Sequence, residues 1–251
     1  MNAHVWTIAH RGASAEAPES TAAALARAMA HRVDMVELDV QLTRDNRLVI
    51  FHDDRLDRTT DGRGPLIAHT YRQLTHLDAG SWFGPRFAGQ RVLLVSQALR
   101  QLRCRINLEL KPTGHPDILI RQLLNVLHWT KTVSRVLISS FDVRLLRRVR
   151  RAAPRLATAL LHTRDAGASL NTAIQLGCVA FHPHASLVTP SLVRQAHEAG
   201  LRLHTWTVDS PAQARRLIQC GVDGIVTNHP ERLKPLLDGR AHRPLLRRAL
   251  A

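Results

Sequence analysis
Short apolar runs alternate along the chain with longer stretches whose apolar residues return every three or four positions. The first pattern reads as strand and the second as amphipathic helix. The runs fall at Thr7–His10, Met35–Val40, Leu48–His52, Arg105–Leu110, Arg135–Ser139, Ala157–Leu161, Cys178–Phe181, Leu201–Thr207 and Gly224–Val226. Helical spacing is clear at Ser20–His31, Val143–Ala153, Thr189–Ala199 and Pro211–Cys220. Gly200 and Gly221 stand where helices should stop before the next strand. Strand–helix alternation predicts a parallel sheet. At 251 residues, with no linker and no internal repeat, the pattern predicts one domain over residues 1–251, an α/β fold closed as a (β/α)₈ TIM barrel. Leu48–His52 is expected to pair with Met35–Val40 across the turn at Thr43-Arg44-Asp45-Asn46. The stretch 53–101 fits no β–α unit. It predicts an insertion over the C-terminal mouth of the barrel, with a short helix near Tyr71–Leu77.

Polar residues that interrupt the apolar runs carry the candidate chemistry. Glu37 and Asp39 lie two apart in Met35-Val36-Glu37-Leu38-Asp39-Val40. Residues two apart on a strand share a face. Two carboxylates on one buried strand repel each other unless a cation lies between them, and hard oxygen ligands suit Mg²⁺ or Ca²⁺. A solvated acidic face is the alternative, and the flanking Met35, Val36, Leu38 and Val40 weigh against it. Glu109 and Lys111 repeat the spacing in Asn107-Leu108-Glu109-Leu110-Lys111. Alone they would read as an ordinary surface ion pair. Beside Glu37 and Asp39 they read as a third carboxylate and an anion-holding cation. His10 and His52 each end an apolar run, in the same half of the chain as the acids, and imidazoles near a metal suit acid–base chemistry close to neutral pH. His4, His31, His69, His76, His128 and His242 have no such setting. The ends of barrel strands are where active sites of this architecture form, and His10, Glu37, Asp39, His52, Glu109 and Lys111 all fall there.

Composition adjusts this picture only slightly. No apolar stretch reaches the roughly 18 residues that cross a bilayer, and no signal peptide precedes the first strand, so a cytoplasmic protein without membrane insertion is expected. Cys104, Cys178 and Cys220 are odd in number and widely spaced, which predicts reduced, largely buried thiols. The formal charge is +15, and 32 of the 35 basic residues are Arg, the lysines being Lys111, Lys131 and Lys234. Such charge can signal nucleic-acid binding. Here the arginines are spread out, dense only at Arg144 to Arg151 and in the tail from Arg240, and aromatics for base stacking are few. Arginine in place of surface lysine, with no nucleic-acid partner, is the expected reading. A basic field would still steer an anionic substrate.

Ala9-His10-Arg11-Gly12, Ala17-Pro18-Glu19-Ser20-Thr21, Glu37-Leu38-Asp39, His52-Asp53, Arg58-Thr59-Thr60-Asp61-Gly62 and Glu109-Leu110-Lys111 together resemble the glycerophosphodiester phosphodiesterases. Asp78-Ala79-Gly80-Ser81-Trp82, Trp206-Thr207-Val208-Asp209 and Gly221-Val222-Asp223-Gly224-Ile225 extend the match from about residue 7 to residue 233. Each motif is weak alone and specific in this order. The resemblance is greatest to the bacterial cytosolic branch. It implies a (β/α)₈ barrel, one divalent cation held by Glu37, Asp39 and Glu109, and His10 and His52 as an acid–base pair. It also implies that Arg11 and Lys111 hold a phosphodiester, that Glu19 supports the site from behind, and that Trp206 lines the pocket. Three positions depart from the family pattern. Ser20 replaces Asn, Asn228 in Thr227-Asn228 replaces Asp, and Val95-Ser96-Gln97 replaces a Leu-Glu-Glu type segment.

The implied reaction is hydrolysis of a small glycerophosphodiester, such as glycerophosphocholine or glycerophosphoethanolamine, to sn-glycerol 3-phosphate and an alcohol. The alternatives on the same barrel are lysophospholipase D-type cleavage, a cyclic phosphate as final product, and non-catalytic phosphodiester binding.

Overall fold
A computed structural model describes residues 4–238; the basic tail from Arg240 lies outside the described residues. The elements run in order as β1 (Trp6–His10), α1 (Ala22–Ala30), β2 (Met35–Leu42), β3 (Leu48–Ile50), α2 (Tyr71–Leu74), α3 (Val95–Gln101), β4 (Arg105–Leu110) and α4 (Pro116–Thr130). They continue as β5 (Val136–Ser140), α5 (Val143–Ala152), β6 (Ala157–His162), α6 (Ala166–Gln175), β7 (Ala180–Pro183), α7 (Pro190–Glu198), β8 (Arg202–Thr205), α8 (Pro211–Cys220), β9 (Gly224–Thr227) and α9 (Pro230–Leu237). Eight strands pair in parallel in the ring order β1-β9-β8-β7-β6-β5-β4-β2, and β1 closes on β2. This is a TIM barrel, with helices connecting the strands on the outside.

Local chemistry sets the helix ends. Asp142 caps α5 by accepting the N–H groups of Arg144 and Leu145, and Thr189 caps α7 ahead of Pro190. Gly221 closes α8 at φ +90°, a left-handed conformation that costs glycine little. β8 ends at Thr205, short of the expected Thr207, and two further departures from the sequence pattern bear on the site. β3 stops at Ile50 and pairs antiparallel to β2, so His52 sits on the loop just beyond it. β7 begins at Ala180, two residues later than the apolar run suggests. Gly177 turns the chain at φ +65°, and Val179 N–H bonds Thr158 O before the strand starts.

The main core lies between the barrel and its helices, with Leu38, Ile106, Leu108, Ile138, Leu146 and Leu217 among its buried members. A second apolar layer fills the barrel itself, built from Ile8, Met35, Leu137, Ala159, Ala180 and Val226. Trp6 plugs its lower end, with the guanidinium groups of Arg105 and Arg202 packed on its ring at 4.7 and 4.4 Å. The segment that follows β3 has a small core of its own, formed by Val49, Phe51, Leu56, Leu66, Leu74, Ala79 and Val92, whereas Val95, Ala98 and Leu99 of α3 belong to the main core, so the insertion expected over 53–101 ends before α3. It joins the barrel beside α1, where Gln90 Oε1 accepts the Ala23 N–H at 3.1 Å and Arg58 reaches Glu19.

His182 and His204 also point into the barrel, their rings 4.9 Å apart and both buried. Burial pushes His182 down to about 3 and His204 well below the usual 6.5. Both are therefore neutral in the folded protein at pH 7, whereas the unfolded chain takes up protons below pH 6.5. Their contribution to stability is present above about 6.5 and is lost as pH falls. We expect His204→Leu to flatten the fall of unfolding free energy on acidification from pH 6.5, by up to about 1.4 kcal/mol per pH unit. Denaturant titrations of both proteins across that range measure the difference, and parallel curves would contradict the assignment.

Candidate active site
Parallel pairing puts three carboxylates together. Asp39 on β2 is in register with Glu109 on β4, and Glu37 lies one inward position earlier on β2. Glu37, Asp39 and Glu109 are 5, 1 and 8 % exposed, so solvent does little to screen their repulsion. Their ligand oxygens lie within 4.8 Å of one another. Burial, then the charges of Asp39 and Glu109, push Glu37 well above the ordinary carboxylate range. Burial also raises Glu109, with Asp39 adding to it. For Asp39 the effect of burial is outweighed by Lys111 and Arg11, and its carboxyl is held low. Lys111 Nζ lies 2.8 Å from Asp39 Oδ1 and 2.5 Å from Glu109 Oε1. Arg11 Nε approaches Asp39 Oδ2 at 3.2 Å without hydrogen-bond geometry.

The cluster suits a hard divalent cation. Glu37 Oε1 and Asp39 Oδ2 are buried and have no hydrogen-bond partner. Buried charged oxygens are normally satisfied, and an oxygen-only donor set matches Mg²⁺ or Ca²⁺.

The first strand turns sharply to bring its residues in. Arg11 follows β1 at φ +56° and Gly12 at φ +87°, and a Cβ on Gly12 would lie 2.8 Å from the backbone of Ala24. Only glycine allows α1 to pack this close. The turn places His10 Nε2 3.8 Å from Glu37 Oε2 and lets Arg11 N–H bond the Glu37 carbonyl at 2.9 Å.

The two histidines are held differently. Asn228 Nδ2 donates to Asp209 Oδ2 at 2.8 Å, which turns its Oδ1 towards His10 Nδ1 at 2.7 Å. An amide oxygen only accepts, so His10 carries its proton on Nδ1 and leaves the Nε2 lone pair facing the carboxylates. Burial first, and Arg11 next, lower His10 to about 4, so it is neutral at pH 7. His52 Nδ1 instead meets a carboxylate, Asp53 Oδ1, at 2.6 Å. Arg58 grips that carboxylate with two bonds of 2.6 and 2.9 Å and depresses it below the ordinary range. Arg58 also makes two bonds to Glu19, at 2.9 and 2.8 Å, and Glu19 accepts from Arg11 at 2.9 Å. Gln41 Nε2 fixes the loop by donating to the carbonyls of Phe51, His52 and Asp53.

A cavity of about 300 Å³ opens at this end of the barrel, lined on its charged side by His10, Arg11, Glu37, His52, Glu109 and Lys111. Its other walls include Asn107, Leu161, His182 and an aromatic edge where Trp206 meets Phe141 at 5.5 Å. Trp206 Nε1 donates to the His182 carbonyl at 2.9 Å. Of the residues singled out from the sequence, all but Asp39 and Glu19 border the cavity; Asp39 lies behind its wall against Lys111, and Glu19 braces Arg11. The sequence reading gave no role to Asp53, Arg58, Gln41, Asp209, Asn228, Asn107 or His182. Five of these, Asp53, Arg58, Asn107, Asp209 and Asn228, sat inside segments quoted above. No local signal marked Gln41 or His182.

Residues 10–232 match the glycerophosphoryl diester phosphodiesterase family. A glycerophosphodiester phosphodiesterase of Caldanaerobacter subterraneus is 38% identical over 231 residues, 90% of this chain and 95% of that one. One from Bacillus subtilis is 33% identical, over 90% of this chain and 84% of its own. A phosphodiesterase of Oleispira antarctica, solved with its product sn-glycerol-3-phosphate, superposes with a TM-score of 0.89 at 31% identity, covering 93% of this chain and 96% of that one.

Two outcomes follow from the local geometry. Ser20 is buried at φ +61° with its Oγ unpartnered, a conformation that asparagine adopts more readily. Ser20→Asn should stabilise the protein by about 0.5–1 kcal/mol, and a lower melting temperature would show that the loop lacks the room. Glu37→Gln should raise the melting temperature of metal-free protein, because it removes a buried like charge, and should reduce the further rise on adding Mg²⁺ or Ca²⁺. An unchanged metal-induced rise would remove Glu37 from the ligand set.

Proposed function
The chain belongs to the glycerophosphoryl diester phosphodiesterase family, and we propose that it hydrolyses small glycerophosphodiesters, such as glycerophosphocholine or glycerophosphoethanolamine, to sn-glycerol 3-phosphate and an alcohol. The charge of the buried cluster carries this reading. Three carboxylates face two cations, Arg11 and Lys111, which leaves one negative charge when all are ionised. One divalent cation and one phosphodiester monoanion bring the same group to neutrality. Neither alone does so, which favours a site that takes both.

Glu37, Asp39 and Glu109 would hold the cation, Mg²⁺ or Ca²⁺. When bound, it would draw charge from a non-bridging phosphoryl oxygen. Arg11 and Lys111 line the cavity beside the carboxylates and are placed to meet the remaining phosphoryl charge, Arg11 as a fork and Lys111 as a point charge. Glu19 and Arg58 keep the Arg11 guanidinium in place.

The environments of the two histidines divide the proton work. His10 is neutral with its Nε2 lone pair exposed to the cavity, so it takes the proton of the attacking hydroxyl. His52 is oriented by the Asp53 carboxylate at Nδ1, which leaves Nε2 to deliver the proton to the departing alcohol oxygen. The new P–O bond forms as the P–O bond to the alcohol breaks. The proton gained at His10 and the one lost at His52 balance after exchange with water.

His10→Ala and His52→Ala should each lower kcat on glycerophosphocholine by roughly 10²–10⁴-fold. EDTA should abolish release of glycerol 3-phosphate, and Mg²⁺ or Ca²⁺ should restore it. Turnover close to wild type in both histidine variants would overturn the acid–base assignment, and EDTA-resistant turnover would overturn the cation.

A further inference from the structure
The arginines from Arg144 to Arg151 have no task in the reaction proposed above. Between Ile118 and Arg164 the chain carries ten Lys or Arg and one acid, Asp142. Folding gathers much of this charge on one side of the barrel. On α5 the inner residues Leu145, Leu146 and Val149 are buried. Arg144, Arg147, Arg148 and Arg151 stand exposed at the three- and four-residue spacing of one helix face. Arg148 reaches Asp117 in the first turn of α4 at 2.8 Å, so Arg121, one turn further along α4, extends the same face. Lys131 and Arg155 are exposed on the loops that enter the neighbouring strands β5 and β6. Among the described residues, Asp117 is the only carboxylate that pairs with any of these cations.

Exposed apolar side chains collect at the lower end of this face, where the strands begin. Trp129 ends α4, Val133 precedes β5, Ile174 lies in the last turn of α6 and Val179 precedes β7, and all four are 41 to 59 % exposed. A Cβ on Gly177 would lie 2.8 Å from Arg150 Nη2, which places the Ile174–Val179 segment beside the lower end of α5. Other exposed large apolar residues, Ile67, Trp82 and Phe141, belong to the insertion or to the cavity rim.

Cations around exposed aliphatic and indole groups match an interface that is anionic at its surface and apolar beneath. The phosphates of a nucleic acid would answer the cations and offer nothing to Val133, Ile174 and Val179. A second copy of the chain, meeting this face across a two-fold axis, would set arginine against arginine.

We infer that this face docks the protein on an anionic lipid surface, with the cations among the head groups and Trp129, Val133, Ile174 and Val179 at the acyl boundary. The contact is peripheral, since no helix of the described residues is long and apolar enough to cross a membrane. The cavity opens at the other end of the strands, so docking leaves it open to water. On the phosphodiesterase reading, docking also brings the enzyme to where its substrates arise, because hydrolysis of both acyl esters of a phospholipid leaves a glycerophosphodiester. The docking itself does not rest on that reading.

The test is cosedimentation of the full chain with vesicles of phosphatidylcholine, alone or with about one third phosphatidylglycerol, at about 0.1 M and about 1 M salt. Binding should require phosphatidylglycerol and be lost at high salt. Each Lys or Arg near such a surface contributes about fivefold to partitioning, so Arg144→Gln, Arg147→Gln and Arg151→Gln together should weaken binding by roughly 10²-fold. These three side chains are exposed and make no ion pair among the described residues, so the triple variant should keep the wild-type melting temperature. Val133→Ser with Val179→Ser should weaken binding several-fold and leave its salt dependence unchanged. Wild-type binding by the triple variant would overturn the proposal, by assigning attachment to charges elsewhere in the chain. Equal binding to neutral vesicles, or an unchanged affinity in the valine variant, would overturn the pairing of charge with apolar contact. Capture of a DNA duplex with no binding to vesicles would replace the lipid surface with a nucleic acid. Hydrolysis of glycerophosphocholine is assayed without vesicles, so failure of the phosphodiesterase reading and failure of the docking are seen separately.

Discussion
Three buried carboxylates on two neighbouring strands are the constraint around which the mouth of this barrel is organised. Parallel pairing of β2 with β4 brings Asp39 level with Glu109, and the two-residue repeat of a strand adds Glu37 to the same wall. At this burial their repulsion would disfavour folding if nothing answered it. Two answers are built into the chain. Lys111 follows Glu109 on the same face and contacts two of the acids. Arg11 reaches Asp39 from a left-handed turn after β1, a conformation rarely taken by a residue with a side chain. The strained turn is tolerated because Gly12 follows it and α1 packs directly over that glycine.

From this cluster the charges continue outward in alternating sign. Glu109, Lys111, Asp39, Arg11, Glu19, Arg58 and Asp53 form an unbroken series of ion pairs that ends on His52. His10 lies outside the series. Its partner is the neutral amide of Asn228, itself oriented by Asp209. One imidazole thus has a charged support and the other a neutral one. The proposed division of proton work between the two rests on that asymmetry.

Much of this was legible in the sequence because it follows from short-range periodicity. Alternation of strand and helix announced the barrel, and the i, i+2 spacing of Glu37 with Asp39 and of Glu109 with Lys111 announced the cluster. Partners that depend on register were harder to read. His182 falls beyond the apolar run at Cys178–Phe181, and only the turn at Gly177, which delays β7 to Ala180, reveals it as an inward residue. Asp209 and Asn228 lie on loops after different strands, and nothing local in either segment indicates that they meet at His10. The segment after β3 resisted a β–α reading for a physical reason. It folds around its own small core, from Leu56 to Val92, and does not follow the barrel's repeat.

The interior of the barrel is divided by depth. Below, Trp6 between two arginines and the layer of Ile8, Met35, Leu137, Ala159, Ala180 and Val226 form a largely apolar filling, interrupted by the His204 ring 5.4 Å from Trp6. Above it, orphaned polar atoms gather on Glu37, Asp39, Asn107, Ser139 and His182. Such atoms weaken the fold where they stand, so stability has to come from elsewhere, and the extensive apolar layer between strands and helices provides it. Arginine contributes to the same scaffold. Arg135 donates to the carbonyls of Leu99, Leu102 and Cys104, and Arg216 to those of Ala185 and Val188, tying loop backbones that no strand partner satisfies. Part of the high arginine content is therefore structural, and the fold can hold its upper interior unsatisfied because its outer layers are not.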